Sequence, residues 1–296
     1  MARHIKDTIG RKLFMAINII ILTSLTLLCI MPLINAVAVS FSQKEYASAG
    51  LVTFWPKGFT LYSYKYLFQR TAFWQAFMVS VIRVITGTII SLILVLLTGY
   101  PLSKESSQLR FRTVYAWFFF LTMLISGGMI PSYLLIVKLG MRNTLWALIL
   151  PGSLSAFNLV LMINFFRQIP KELDEAAQID GASFPYILVR VYIPCSMAAI
   201  ATISLFCMVG HWNAWFDGMI YISTPQLKPL QTYLQMVVVE LDMSKITSAD
   251  IEQIISLSDK ALRSAQIVIS ILPILAAYPF LQRYFVKGIV LGSVKG

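Results

Sequence analysis

"KELDEAAQIDGASFPYILVRVYIPC", residues 171–195, is a polar stretch in a chain that is otherwise mostly apolar. Glu172, Asp174, Glu175 and Asp180 all fall within it, in a protein with 13 acidic residues in total. Pro170 suits the first turn of a helix, where a missing N–H costs little. Glu172, Asp174 and Glu175 follow at the end where the helix dipole favours negative charge. Gly181 suits a left-handed C-terminal cap. Ser183 can cap a second short helix, and Pro194 stands where the next apolar run begins. The stretch reads as a helix–Gly–helix elbow whose first helix is about two to three turns long. Ala176 and Ala177 keep its surface flat enough for another protein to approach. The same residues would equally suit a well-capped surface connection with no partner.

What flanks the elbow decides the fold. The 296 residues are 58% hydrophobic and 12% charged, whereas soluble domains are about 25% charged. A soluble chain this apolar would expose large sticky patches. Six stretches approach the roughly 20 apolar residues needed to cross a bilayer: 13–41, 72–102, 113–139, 145–166, 189–222 and 267–286. The first follows Arg3, Lys6, Arg11 and Lys12 but is too long for a signal h-region, and it reads as a retained span. The expectation is an all-α, polytopic protein of six spans with both termini on one side. Lys104, Arg110, Arg112, Arg167, Lys171, Arg190, Arg283, Lys287 and Lys295 crowd the span ends on that same side. By the positive-inside rule the termini and the elbow are cytoplasmic. The outer loops are 42–71, whose Trp55, Tyr62, Tyr64 and Tyr66 suit an interfacial belt, and 223–266, long and mixed in polarity, which reads as folded into short helices. No internal repeat is evident.

Several function classes fall away. The net charge of +11 comes without an aromatic-interleaved basic stripe, which argues against nucleic acid. Cys29, Cys195 and Cys207 form no CxxC pair and read as small core residues. His4 and His211 lack acidic ligand spacing, so no metal site is expected. No GxxxxGK[ST] occurs, so this chain does not itself cradle ATP. In "ISGGM", 125–129, Gly127 and Gly128 read as close helix packing. Ionisable groups inside spans usually face a cavity or a partner. His211, Asn213, Trp215 and Asp217 could offer aromatic faces and hydrogen bonds to a polar solute. On one continuous helix 211 pairs with 215 and 213 with 217, so not all can line a path. Trp212 and Asn213 suit interfacial anchoring and interhelical bonding. Arg83 is open to three readings: lining a cavity, pairing across a subunit interface, or snorkelling outward.

Glu175-Ala176-Ala177, three residues, Gly181, then Val191, Ile193 and Pro194, resembles the "EAA…G…I-x-L-P" signature of the membrane subunits of binding-protein-dependent ABC importers. Val191 replaces the usual Ile and Ile193 the usual Leu. Asp180-Gly181-Ala182 strengthens the likeness, which covers the chain from about Trp74 to the C-terminus. It is most similar to the second permease of maltose-type carbohydrate systems, and the ending matches that subunit's tail at Gly288, Gly292, Val294, Lys295 and Gly296. "SGGMIPSYLLIVKLGMRNT" (126–144) and "HWNAWFDGMIYI" (211–222) look like the branch handling larger or acidic oligosaccharides, such as alginate or pectin fragments.

The resemblance implies a type I permease fold in a bacterial inner membrane, with a single membrane domain whose core is 74–286. It implies a second, different permease, two cytoplasmic ATPases holding ATP and Mg, and an external solute-binding protein. It makes 170–194 a coupling helix seated in an ATPase and puts Gln231, Tyr233 and Gln235 of the outer loop against the binding protein. The glycines and lysines of the tail 287–296 read as a strut between the ATPases, or else as a basic anchor beside anionic lipid. A competing class is an ion-coupled secondary transporter of a small polar solute. That class would want carboxylates buried in spans, for which Asp217 is the candidate, and an inverted repeat. A membrane enzyme would need a nucleophile–base pair or metal cluster that the sequence does not offer.

Overall fold

The computed structural model describes residues 9–239 and 259–292. Among them the regular structure is helical, with one isolated antiparallel bridge between Ser42 and Phe59. The chain divides into two compact units, residues 1–69 with 241–272, and residues 70–240 with 273–296.

In the first unit α1 (Ile9–Ser40) is apolar almost throughout, and its most apolar window is entirely unburied. At about 1.5 Å per residue such a helix outreaches a hydrocarbon core of about 30 Å. Its end packs Ala38 and Val39 with Ala47, Val52 and Ala261. The connection that follows is folded back on this end. Asn35 Nδ2 donates to the carbonyls of Val52 and Thr53 at 3.1 and 2.7 Å, and Phe41 stacks on Phe59 at 5.6 Å. Trp55 is left 81% exposed, in keeping with an interfacial belt.

The second unit is built on α2 (Thr71–Ser103). Ser80, Arg83, Gly87, Thr88, Ser91 and Gly99 lie on its buried stripe, while Met78, Ile82, Ile85, Ile89, Ile93 and Leu97 are exposed at helical spacing. Small and polar side chains inside with large apolar ones outside is the arrangement a bilayer selects, because close helix approach rather than water exclusion drives association there. A Cβ on Gly99 would already press Met162 Cγ at 3.4 Å. Against this stripe pack α5 (Ala156–Phe166) and α7 (Met197–Asn213).

The unbroken spans expected at 113–139, 145–166 and 189–222 are each interrupted. The first is α3 (Arg112–Leu124) and α4 (Met129–Lys138), bent by 115° at Ile125–Gly128. Gly128 adopts φ +84, and a Cβ on Gly127 or Gly128 would meet nothing within 4 Å. These glycines therefore permit a sharp turn, not the close packing expected of them. Trp146–Gly152 bends by 50° into α5, and Phe184–Cys195 bends by 85° into α7. After α7 the chain is extended at Ala214 and resumes as α8 (Phe216–Tyr221). By length and composition α1 and α2 can each cross a membrane alone, and with the bent pairs the described residues offer up to five spans.

The elbow helix α6 (Lys171–Ile179) follows α5 in sequence. The expected outer loop opens with a 3-10 turn and α9 (Leu230–Val239). Residues 240–258 of that loop lie outside the described residues. The expected sixth span and the expected tail are one helix, α10 (Asp259–Gly292), which runs through Gly288 to Gly292. Lys295 and Gly296 lie outside the described residues.

Candidate functional site: a clamped elbow and a polar cavity

Pro170 stands at the N-cap of α6, and Gly181 turns the chain at φ +78. The turn is closed by Ala182 N donating to Ala177 O at 2.9 Å and Gly181 N to Gln178 O at 3.0 Å. Asp174, grouped in the sequence with the surface carboxylates, is 5% exposed. Its Oδ1 accepts from Lys104 Nζ at 2.6 Å and its Oδ2 from Gln178 Nε2 at 2.9 Å. Lys104 also donates to the Tyr192 hydroxyl at 3.1 Å, and its ammonium sits 4.4 and 4.6 Å from the ring centres of Tyr100 and Tyr192.

Tyr100, Tyr192 and Phe166 meet edge to face in a three-ring cluster, with Tyr192 centred 4.8 Å from Tyr100 and 5.3 Å from Phe166. They belong to a core that also holds Val95, Met162, Ile187, Ala199 and Ile203. Burial draws the Lys104 ammonium down, but its bonds to Asp174 and Tyr192 outweigh this and hold it above the usual lysine range. The elbow is thus tied by a buried cation to the end of α2. A second pair, Lys171 with Glu105, joins the same two elements at the surface. Its hydrogen bond lowers Glu105 and raises Lys171. Being exposed, it stabilises little.

The other elbow residues sort by face. Glu172, Glu175, Ala176, Asp180, Gly181 and Pro194 are exposed, whereas Ala177 and Ala182 turn toward the core. Leu173, Ile179 and Phe184 are exposed beside the carboxylates, with Ile179 at 86%. Apolar side chains left open on a polar element mark a surface that another protein can cover.

A cavity of about 670 Å³ is lined by Arg83, Ser91, Ser155, Asn158, His211 and Asp217, among others. Arg83 is 2% exposed and makes no outward snorkel. Its Nη1 donates to Ala214 O and Asp217 Oδ1, each at 3.2 Å, and its Nη2 to Leu148 O at 3.2 Å and to Asp217 Oδ2. Leu148 and Ala214 both lie at interrupted spans, where carbonyls lose their helical partners. One guanidinium satisfies both, as a membrane interior demands. The His211 ring lies against Gly87, in the place a Cβ there would occupy.

Asn213 and Trp215 are exposed and do not line this cavity. The four-residue spacing expected to group 211 with 215 and 213 with 217 fails because α7 ends at Asn213. That break instead brings His211 and Asp217 to one cavity. Trp212 is buried, edge-on to Phe77 at 6.0 Å, and is no interfacial anchor. Sequence reading missed Ser91, Ser155 and Asn158, although a lone Asn in "AFNLV" is a polar signal inside an apolar run. It also counted Lys104 only as a flanking charge. The signal there was Tyr100 one helical turn before it.

Gln231, Tyr233 and Gln235 lie on α9, which is bolted to the second unit. Ser80 Oγ accepts from Leu230 N at 2.7 Å, and Thr232 Oγ1 donates to Trp215 O at 2.7 Å. Gln235 is exposed, and Gln231 and Tyr233 are half-buried.

No family model matches the chain. Among curated proteins it is 38% identical over 290 residues to Protein LplC of Bacillus subtilis, covering 98% of this chain and 97% of the relative. It is 37% identical over 279 residues to the polygalacturonan/rhamnogalacturonan transport system permease protein YtcP of the same species, covering 91% and 94%. Among solved structures it superposes with a TM-score of 0.85, at 30% identity, on a chain of a bacterial ABC transporter involved in the import of the acidic polysaccharide alginate. That match covers 94% of this chain and 99% of the other. The fold and these relatives define a membrane-spanning transport permease. The chain belongs to the family of carbohydrate ABC importer permeases.

Proposed function

We propose that this chain forms half of the pathway of a binding-protein-dependent importer of acidic oligosaccharides in a bacterial inner membrane. It spans that membrane six times with both termini cytoplasmic. Its partners are a different second permease, two cytoplasmic ATPases that hold ATP and Mg, an external solute-binding protein, and the surrounding lipid. The elbow carries the coupling, and the observation behind it is the buried Lys104–Asp174 bond. A helix held in the core by a buried ion pair moves as one body with α2, so closure of the ATPases on ATP tilts the membrane helices instead of bending a loop. The exposed face with Glu172, Glu175, Ala176, Ile179 and Gly181 is what the ATPase grips.

The polar wall of Ser91, Ser155, Asn158 and His211 offers hydrogen bonds to a sugar, while Arg83 and Asp217 neutralise each other and hold the cavity's frame. The acidic character of the cargo is supported by the likeness to the polygalacturonan/rhamnogalacturonan permease YtcP and to the alginate importer. The test is uptake of oligogalacturonate or oligomannuronate by vesicles carrying the complete importer. Uptake requires ATP on the elbow side and binding protein on the other. Uptake driven by an ion gradient without ATP would overturn the proposal in favour of a secondary transporter.

A further inference from the structure

A groove of about 380 Å³ runs between α3 and α5, floored by Trp117, Phe120, Leu159, Val160 and Ile163. Arg112 and Arg167 also line it. Arg112 opens α3 and Arg167 follows the last turn of α5, so both stand at the end where α2 finishes. Arg112 Nε donates to Leu102 O at 2.9 Å, which fixes the guanidinium, and neither Arg112 nor Arg167 makes an ion pair with any described residue.

We infer that this groove is a site for an anionic phospholipid of the leaflet on the elbow side, its phosphate held by Arg112 and Arg167 and an acyl chain lying over Trp117 and Val160. The inference rests on the cytoplasmic placing of the elbow proposed above. Depth and charge favour a lipid. Arginines at helix ends lie at head-group level, where phosphates are plentiful and basic pockets between helices attract them. A sugar would want hydrogen-bonding walls, whereas apart from Thr113, Asn164 and the two arginines this lining is aromatic and aliphatic. A helix of the second permease would have to bring carboxylates to the same depth to neutralise both cations, at a cost that a lipid phosphate avoids.

The experiment uses the complete importer, reconstituted in phosphatidylcholine vesicles containing a minor share of phosphatidylglycerol. The complex is then released in mild detergent and weighed intact by native mass spectrometry. Wild type should retain phosphatidylglycerol in preference to phosphatidylcholine. The Arg112→Gln, Arg167→Gln double variant should lose that preference by roughly tenfold. Because Arg112 also binds the Leu102 carbonyl, Arg167→Gln alone and the groove-filling Val160→Trp serve as independent variants, and each should lower retention. Equal retention by wild type and these variants would overturn the inference. So would equal retention of the two lipids, or a Trp117→Cys variant that cross-links to the second permease. ATP-driven uptake by the same vesicles reports on the transport reading separately, so the failure of one is distinguishable from the failure of the other.

Discussion

Arg83 shows how one residue can hold two broken helices in an apolar setting. Its guanidinium serves the carbonyls of Leu148 and Ala214 and the carboxylate of Asp217 together. Lysine has neither the planar fork nor enough donors in the right directions, so Arg83→Lys is not conservative here. Removing Asp217 strands the buried Arg83 charge at a cost of about 3–5 kcal/mol, whereas removing Arg83 strands a carboxylate that is 27% exposed at the cavity and costs less. Arg83→Met should therefore lower the yield of folded protein and its thermal stability in detergent, and Asp217→Leu should do the same. The double variant Arg83→Met, Asp217→Leu should recover part of the loss, since no charge remains buried. If the double variant is as unstable as the sum of the singles, the ion pair is not what the fold depends on. Gly181 makes a different point. It has φ +78, and an added Cβ would meet nothing within 4 Å. Gly181→Asp thus carries backbone strain of about 1–2 kcal/mol and places a charge on the outward face. It should insert and fold yet lose coupled ATPase activity. Normal sugar-dependent ATPase activity in that variant would remove the elbow from the coupling path.

At the scale of elements, the clamp predicts how the elbow fails. Lys104→Met leaves Asp174 buried and unpaired, and Asp174→Asn leaves the ammonium between two rings without its anion. Each should leave the importer assembled, shown by copurification of the ATPases, while stimulation of ATPase activity by binding protein and sugar falls several-fold. The Lys104→Met, Asp174→Leu pair should restore packing and part of the stimulation. A merely structural bond would change assembly and stimulation in parallel. The helix, its caps and its glycine turn were legible in 170–194, because capping is local chemistry written in consecutive residues. The inward facing of Asp174 was not, because its partner lies 70 positions away and both carry ordinary surface side chains. The same limit explains the cavity. Apolar runs announce spans, but the breaks near Pro151 and Ala214 leave carbonyls that Arg83 satisfies, and Arg83 is remote in sequence from both. His211 and Asp217 reach one cavity only because the chain is extended at Ala214.

For the molecule as a whole, α2 works as a ruler. Its Ser80 accepts from the backbone of Leu230 at the root of α9, and Lys104 just past its end holds the elbow. At about 1.5 Å per residue these contacts stand about 36 Å apart along the helix, more than the roughly 30 Å of hydrocarbon between head-group layers. In the six-span topology proposed above, this places the elbow and α9 at opposite faces of the bilayer. The clustering of Arg110, Arg112, Arg167, Lys171 and Arg190 at the elbow end is the charge bias behind the cytoplasmic side proposed for that end. Two exposed positions can report this, Ile179 on the elbow and Gln235 on α9. In a background with Cys29, Cys195 and Cys207 changed to Ser, Ile179→Cys should react with an impermeant maleimide only in inside-out vesicles. Gln235→Cys should react only in right-side-out ones. We propose that the binding protein presses on Gln235; because Thr232 anchors α9 to Trp215, it would act on a helix joined to the cavity region, not on a slack loop. Gln235→Cys should accordingly form a cross-link to the binding protein during turnover and not in its absence. Labelling of both positions from one side would refute the ruler argument, and labelling as expected with no cross-link at any exposed position of α9 would move the binding protein's contact elsewhere.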